Sequence, residues 1–79
     1  MALEKAVGNV VREIRKQKGI TLVEMGDAIK ITNGHLSQIE RGERLLSIDT
    51  LKLICTELGV SPATVVRRAD NREYSNEQL

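Results

Sequence analysis

Apolar positions along the chain recur at spacings of three and four over most of its length, and this period predicts helices rather than strands. Leu3, Val7, Val10, Val11 and Ile14 form one such stripe, so a first helix is expected from Leu3 to about Lys18, with Gly19 as its stop. Thr21 and Glu24 have the spacing of a capping box and open a second helix, in which Met25, Ala28 and Ile29 are expected to face inward. Gly26 is small at a point where two helices need to come close. A turn at Lys30-Ile31 leads to Thr32, which caps a third helix running to about Arg41 before Gly42. Ser47 caps a fourth, Ile48–Leu58, with Leu51, Ile54, Cys55 and Leu58 inward and Gly59 closing it. Ser61-Pro62 is a strong start signal for a short fifth helix, Pro62 to Arg68. No strand pattern, internal repeat or low-complexity block interrupts this all-α series. The expected division is a helical domain over residues 1–68 and a polar tail over 69–79, disordered or with one more weak helical turn.

The segment Thr21–Gly42 contains the densest chemistry. Two short helices meet there at a tight turn, and the second buries Leu36 and Ile39 while carrying Asn33, Ser37, Gln38 and Arg41 elsewhere on its surface. A short helix with hydrogen-bonding side chains on its free face fits the major groove of duplex DNA.

Composition narrows the alternatives. A chain of 79 residues can bury one small core, and dimerisation would add buried area. It has no Trp, no Phe and one Tyr, which argues against modules that stack single-stranded bases on aromatic rings. The net charge of +1 gives no bulk attraction for nucleic acid, so local distribution must supply it. One cysteine, Cys55, excludes an intrachain disulfide and reads as a small core residue; no Cys/His spacing suggests a metal site, and no cofactor is expected. A single histidine, no nucleophile–base spacing and no glycine-rich phosphate loop make an enzyme the poorest class. Neither a signal-peptide h-region nor an apolar run of membrane-spanning length is present, and a cytoplasmic location without membrane contact is expected.

Several segments together carry a family resemblance: Ile14-Arg15-x-x-x-Gly19-Ile20-Thr21, Glu24-Met25, Ile31-Thr32-x-x-x-Leu36-Ser37-x-Ile39-Glu40-Arg41-Gly42, Ser47-Ile48-x-Thr50-Leu51 and Leu58-Gly59-Val60-Ser61. Over residues 7 to 66 the chain resembles the Cro/lambda-repressor type of helix-turn-helix protein, a group that includes restriction–modification controller proteins and small phage or plasmid repressors. The resemblance implies a five-helix, lambda-repressor-like DNA-binding domain with its helix-turn-helix at helices 2 and 3. It implies base contacts from Asn33, Gly34 and Gln38, with His35 and Ser37 beside them, and phosphate contacts from Thr21, Thr32, Arg41 and Arg44. Arg15 and Glu40 stand where related domains form a buried or half-buried ion pair. Three positions depart from the family pattern: Leu22 replaces a phosphate-binding glutamine, Lys30 a turn glycine and Leu46 a proline. Lys5, Arg12, Lys16 and Lys18 read as a solvated face.

Function expected from the resemblance is sequence-specific, homodimeric binding to a pseudo-palindromic double-stranded operator, regulating transcription by blocking RNA polymerase or by contacting it. Dimers of such domains commonly pair through helices 4 and 5, which singles out Val60 and Val65 as seam residues. The rival class is an antitoxin-like interaction protein that covers a partner protein, with the 69–79 tail as its contact. A controller protein and a small repressor stay equally open.

Overall fold

The computed structural model describes the backbone of residues 2–77 and side chains over residues 3–72. Its elements are α1 (Ala2–Gln17), α2 (Leu22–Ile29), α3 (Asn33–Glu40), α4 (Ile48–Leu58) and α5 (Pro62–Glu77), with no strand among the described residues. This is the all-α, five-helix arrangement expected from the periodicity.

Helix ends follow from side chains that complete the backbone's hydrogen bonds. The hydroxyls of Thr21, Thr32 and Ser47 accept from the amides of Glu24, His35 and Thr50, so α2, α3 and α4 each begin on a satisfied first turn. α4 ends at Gly59, whose φ of 71° is the left-handed conformation that glycine adopts without strain.

The stripe of α1 forms the centre of the core. Val10 and Val11 are fully buried, Val7 and Ile14 nearly so, and they pack with Met25, Leu36, Ile54, Leu58 and Val65. α1 lies against α5 along much of its length and against α3 near its middle. The second contact explains Gly8: a Cβ there would come within 2.4 Å of the Ile39 carbonyl oxygen and 2.5 Å of that of Glu40. Only a glycine lets α1 sit against the end of α3.

Three expectations are corrected. Leu3 is exposed at the start of α1, where the buried stripe begins only at Ala6 and Val7, and Ala28 is exposed on α2. The domain boundary at residue 68 also moves: Ala69 is fully buried in the core and α5 continues without a break to Glu77. Arg72 on that continuation pairs with Glu13 of α1. The fifth helix is therefore a sixteen-residue strut against α1, in place of a short helix with a tail.

Candidate nucleic-acid interface

The turn between α2 and α3 fixes the angle at which α3 leaves the body. Lys30 adopts φ 61° and ψ 44°, and it is the one non-glycine residue with positive φ among the described residues. Its amide and that of Ile31 both donate to the Gly26 carbonyl, the latter at 2.9 Å. A Cβ on Gly26 would lie 2.4 Å from the Ile31 carbonyl oxygen, so the close approach expected at this glycine belongs to the turn itself. Thr32 then caps α3, its Oγ1 accepting from the His35 amide at 3.2 Å.

α3 has a fastened side and a free side. Leu36, Ile39 and Glu40 are buried. Arg15 holds Glu40 bidentately: its Nε donates to Oε2 at 2.7 Å and its Nη2 to Oε1 at 3.0 Å, while Nη1 donates to the Ile20 carbonyl at 2.8 Å. Both side chains of the pair are almost fully buried, and no buried polar side-chain atom among the described residues lacks a partner. Such a pair specifies one position for α3 relative to α1 more than it adds net stability.

The free side carries Asn33, Gly34, Ser37, Gln38 and Arg41, which fall within an arc of about 140° at roughly 100° per residue. Asn33, Gly34 and Arg41 are exposed; Ser37 and Gln38 are half-buried. His35 stands apart, about 160° round the helix from Asn33 on the same count, and is half-buried on the flank toward the core. A Cβ on Gly34 would meet nothing within 4 Å, so the fold itself makes no demand for glycine there. The amides of Asn33 and Gln38 each offer a donor and an acceptor on one planar group, the pattern that matches the N6 and N7 edge of adenine.

Two surface contacts tether the polar groups in the free chain. Gln38 Oε1 accepts from Arg44 Nη1 at 3.2 Å, and Arg41 Nη2 pairs with Glu43 Oε1 at 3.3 Å. Exposed pairs of this kind contribute little and exchange readily for a stronger anion.

At the other end of the helix-turn-helix, Thr21 and Glu24 form the expected capping box. Thr21 Oγ1 accepts from the Glu24 amide at 3.1 Å, and the Thr21 amide donates to Glu24 Oε1 at 2.9 Å. These hydrogen bonds, the backbone one foremost, hold the Glu24 carboxyl below its ordinary range of titration. A carboxylate thus already sits at the start of α2, and Leu22 beside it offers no hydrogen-bonding group.

A cleft of about 570 Å³ opens between these elements, and it brings in residues that sequence reasoning set aside. Arg12 and Lys16 of α1 line it with Thr21, Leu22, Ser37 and Arg41, while the Arg15–Glu40 pair forms its inner wall. The signal for Arg12 and Lys16 was their spacing of four, which puts both on one face of α1; that face meets α3 only once the helices are packed.

Val65 cannot serve as a seam residue in the folded chain. It is 0% exposed, in the core against α1, and a second copy has no access to it. Val60 is half-buried and packs against the same core. Apolar surface lies elsewhere: Leu45 is 80% exposed and Ile48 66%, in the loop and first turn that follow α3. Among the described residues, no three His, Cys, Asp or Glu side chains come together to hold a metal ion, and no helix is long and apolar enough to cross a membrane. Cys55 is buried, and burial raises its thiol pKa.

Comparison with known proteins agrees with this geometry. Residues 11–65 match the helix-turn-helix family. The transcriptional regulator ClgR of Mycobacterium tuberculosis is 36% identical over 77 residues, covering 98% of this chain and 69% of the relative. The crystal structure of the clp gene regulator ClgR from Corynebacterium glutamicum superimposes with a TM-score of 0.90 at 34% identity, over 100% of this chain and 87% of that one. The restriction–modification controller protein C.Esp1396I, solved as a tetramer with its natural 35 base-pair operator, gives a TM-score of 0.78 at 30% identity, over 90% and 93% of the two chains. With its capped α2–α3 unit, its fold and these relatives in agreement, the chain belongs to the Cro/lambda-repressor type of the helix-turn-helix family, and is a DNA-binding transcriptional regulator of that type.

Proposed function

We propose that this protein binds a specific pseudo-palindromic operator as a homodimer, each copy laying α3 in a major groove. The observation that carries the reading is the free side of α3: Asn33, Ser37 and Gln38 project from a helix whose opposite side is locked by Leu36, Ile39 and the Arg15–Glu40 pair. A rigidly mounted helix presents its amides at fixed spacing, which base readout requires. Gly34, with open space beyond its Cα, lets the groove edge approach the helix closely. Thr32, Arg41 and Arg44 flank the face and are assigned to phosphates, with Thr21 contributing from the start of α2. His35, on the flank, is assigned no base.

Two copies would place their recognition helices about one turn of DNA, roughly 34 Å, apart. Val65 being internal, the seam is assigned to Val60 together with the exposed Leu45 and Ile48. The controller protein C.Esp1396I is known with its operator, which supports a DNA-bound assembly for this chain as well. Operator occupancy then regulates transcription by excluding RNA polymerase or by offering it a contact.

Selection of duplexes from a random pool by the purified protein tests the whole reading. A symmetric consensus with half-sites one helical turn apart is expected. An asymmetric or absent consensus overturns it. Ile48→Asp sharpens the test, because a carboxylate in the first turn of α4 suits the helix dipole and leaves the fold intact. The variant is expected to sediment as a monomer and to lose affinity for the full site while keeping its preference for a half-site.

A further inference from the structure

We infer that Arg12 and Lys16 of α1 grip the sugar–phosphate backbone beyond the base pairs that α3 reads, an inference that rests on the major-groove docking proposed above. The two cations stand one turn apart on the exposed face of α1 and border two adjoining hollows. One hollow is shared with Thr21, Ser37 and Arg41, the last of which flanks the recognition face. The other runs on across α1 to Arg72 of α5. A strand of phosphates leaving the groove beside Arg41 therefore meets Arg12 and Lys16 next.

Charge balance along this path favours an anion. Glu40, the carboxylate in the first hollow, is already neutralised by two hydrogen bonds from Arg15. Glu13, in the second, pairs with Arg72. Among the described residues neither Arg12 nor Lys16 enters an ion pair, so both charges point into the cleft uncompensated. The chain has 12 Lys and Arg against 11 Asp and Glu, so attraction to DNA has to come from such local convergence.

The start of α2 strengthens the case by being poorly suited to the task. Its first turn offers Leu22 where a hydrogen-bonding side chain would help, and the Glu24 carboxylate already occupies the Thr21 amide. Arg12 and Lys16, on the opposite wall of the same cleft, supply the positive charge that this helix start lacks.

The test compares the wild-type chain with an Arg12→Gln/Lys16→Gln variant on the operator obtained by selection and on random duplex. Removing one bound phosphate lowers the slope of log K against log salt by about 0.9, so the double variant is expected to lower it by about 1.8. The wild type's affinity advantage should then shrink about twelve-fold as salt rises from about 50 to about 200 mM. The selected consensus should stay the same, and ethylation interference should vanish at phosphates outside the half-sites only. Each single variant should give half the change in slope, and thermal unfolding of all three should match wild type. An unchanged slope overturns the inference while leaving the docking of α3 intact, as does an equal change from Lys52→Gln on α4. A wild-type protein that selects no duplex at all overturns the docking and this inference together.

Discussion

The two sides of α3 solve opposite problems with the same eight residues. On the inner side every polar group is paired: Glu40 takes both oxygens' worth of hydrogen bonds from Arg15, and Leu36 and Ile39 are sealed from water. On the outer side the Asn33 amide is exposed and the Ser37 hydroxyl and Gln38 amide are half-buried, with an exposed contact, Arg44 to Gln38, on the last. The difference teaches that the readout surface owes its definition to the side it does not show. Side chains on a helix free to rotate or slide would present no fixed pattern, and the buried pair with Gly8 behind it removes that freedom.

Breaking the inner side should therefore produce the largest effect. Glu40→Ala leaves the Arg15 guanidinium buried with the Ile20 carbonyl as its one remaining partner among the described residues. Loss of one member of a buried pair costs about 3–5 kcal/mol, so the variant should unfold at much lower urea than wild type. Arg15→Met combined with Glu40→Leu removes both charges and should recover most of that loss. Recovered stability with weakened base discrimination would separate the positioning role of the pair from its energetic one.

Gly8→Ala tests the same junction with a sign. In a helix with open surroundings, alanine is better than glycine by about 1 kcal/mol. Here the new methyl meets the backbone oxygens of Ile39 and Glu40, which cannot swing aside as a side chain would. Overpacking costs of about 1–3 kcal/mol are expected to dominate, and equilibrium unfolding should show a net loss. A stabilised variant would mean that α1 and α3 are free to move apart.

How far these features are legible in the sequence depends on whether their cause is local. α4 runs from Ile48 to Leu58 as its Ser47 cap and Gly59 stop dictate, and the capping box of Thr21 and Glu24 is likewise a matter of four adjacent residues. Gly8, by contrast, reads as a weak spot in a helix until the carbonyls of a distant helix are in place. Val65 shows the same limit: an apolar residue on a short helix suits a seam or a core equally, and only the docking of α5 on α1 decides for the core. The end of α5 is hard to read because charged residues dominate after Arg68, while the buried side chain among the described residues past that point is the small Ala69. On α3 the periodicity separates Asn33, Ser37 and Gln38 from the core, and it also moves His35 to the flank when each residue's angle is counted.

Damage to the outer side should spare the fold. Gln38→Ala is expected to leave the unfolding transition unchanged and to relax discrimination at one base position by about 1–3 kcal/mol in competition binding. Arg41→Ala should weaken all duplexes alike and lower the salt slope by about one. A Gln38→Ala variant that loses equally on operator and random DNA would remove the readout role from this face.

A smaller effect separates the turn from both sides. Lys30→Gly relieves the left-handed strain that a side chain imposes, against some gain of freedom in the unfolded chain. A net stabilisation of about 0.5–1 kcal/mol is expected in chemical unfolding, with base preference unaltered because the turn keeps its shape. A loss of stability would show that the lysine side chain makes up for its backbone.

The smallest effect concerns the Glu24 carboxyl, whose titration the capping box shifts. Hydrogen bonds from Thr21 lower the Glu24 pKa in the folded chain, so the charged form stabilises the fold at pH values above the ordinary carboxylate range. That contribution is lost as pH falls through the lowered folded value, when protonation takes the charge from the acceptor that the Thr21 amide uses and leaves a weaker, neutral hydrogen bond. Glu24→Gln retains an acceptor at this position but has no proton to take up. The difference in melting temperature between wild type and Glu24→Gln should therefore be constant near neutral pH and shift against the wild type below about pH 4.5. Removing this carboxylate also takes a negative charge from beside Thr21, which lines the cleft with Arg12, Lys16 and Arg41, so at neutral pH Glu24→Gln should bind operator and random duplex slightly tighter by the same factor. A change confined to the operator would place Glu24 among the groups that read bases, against the geometry of α2.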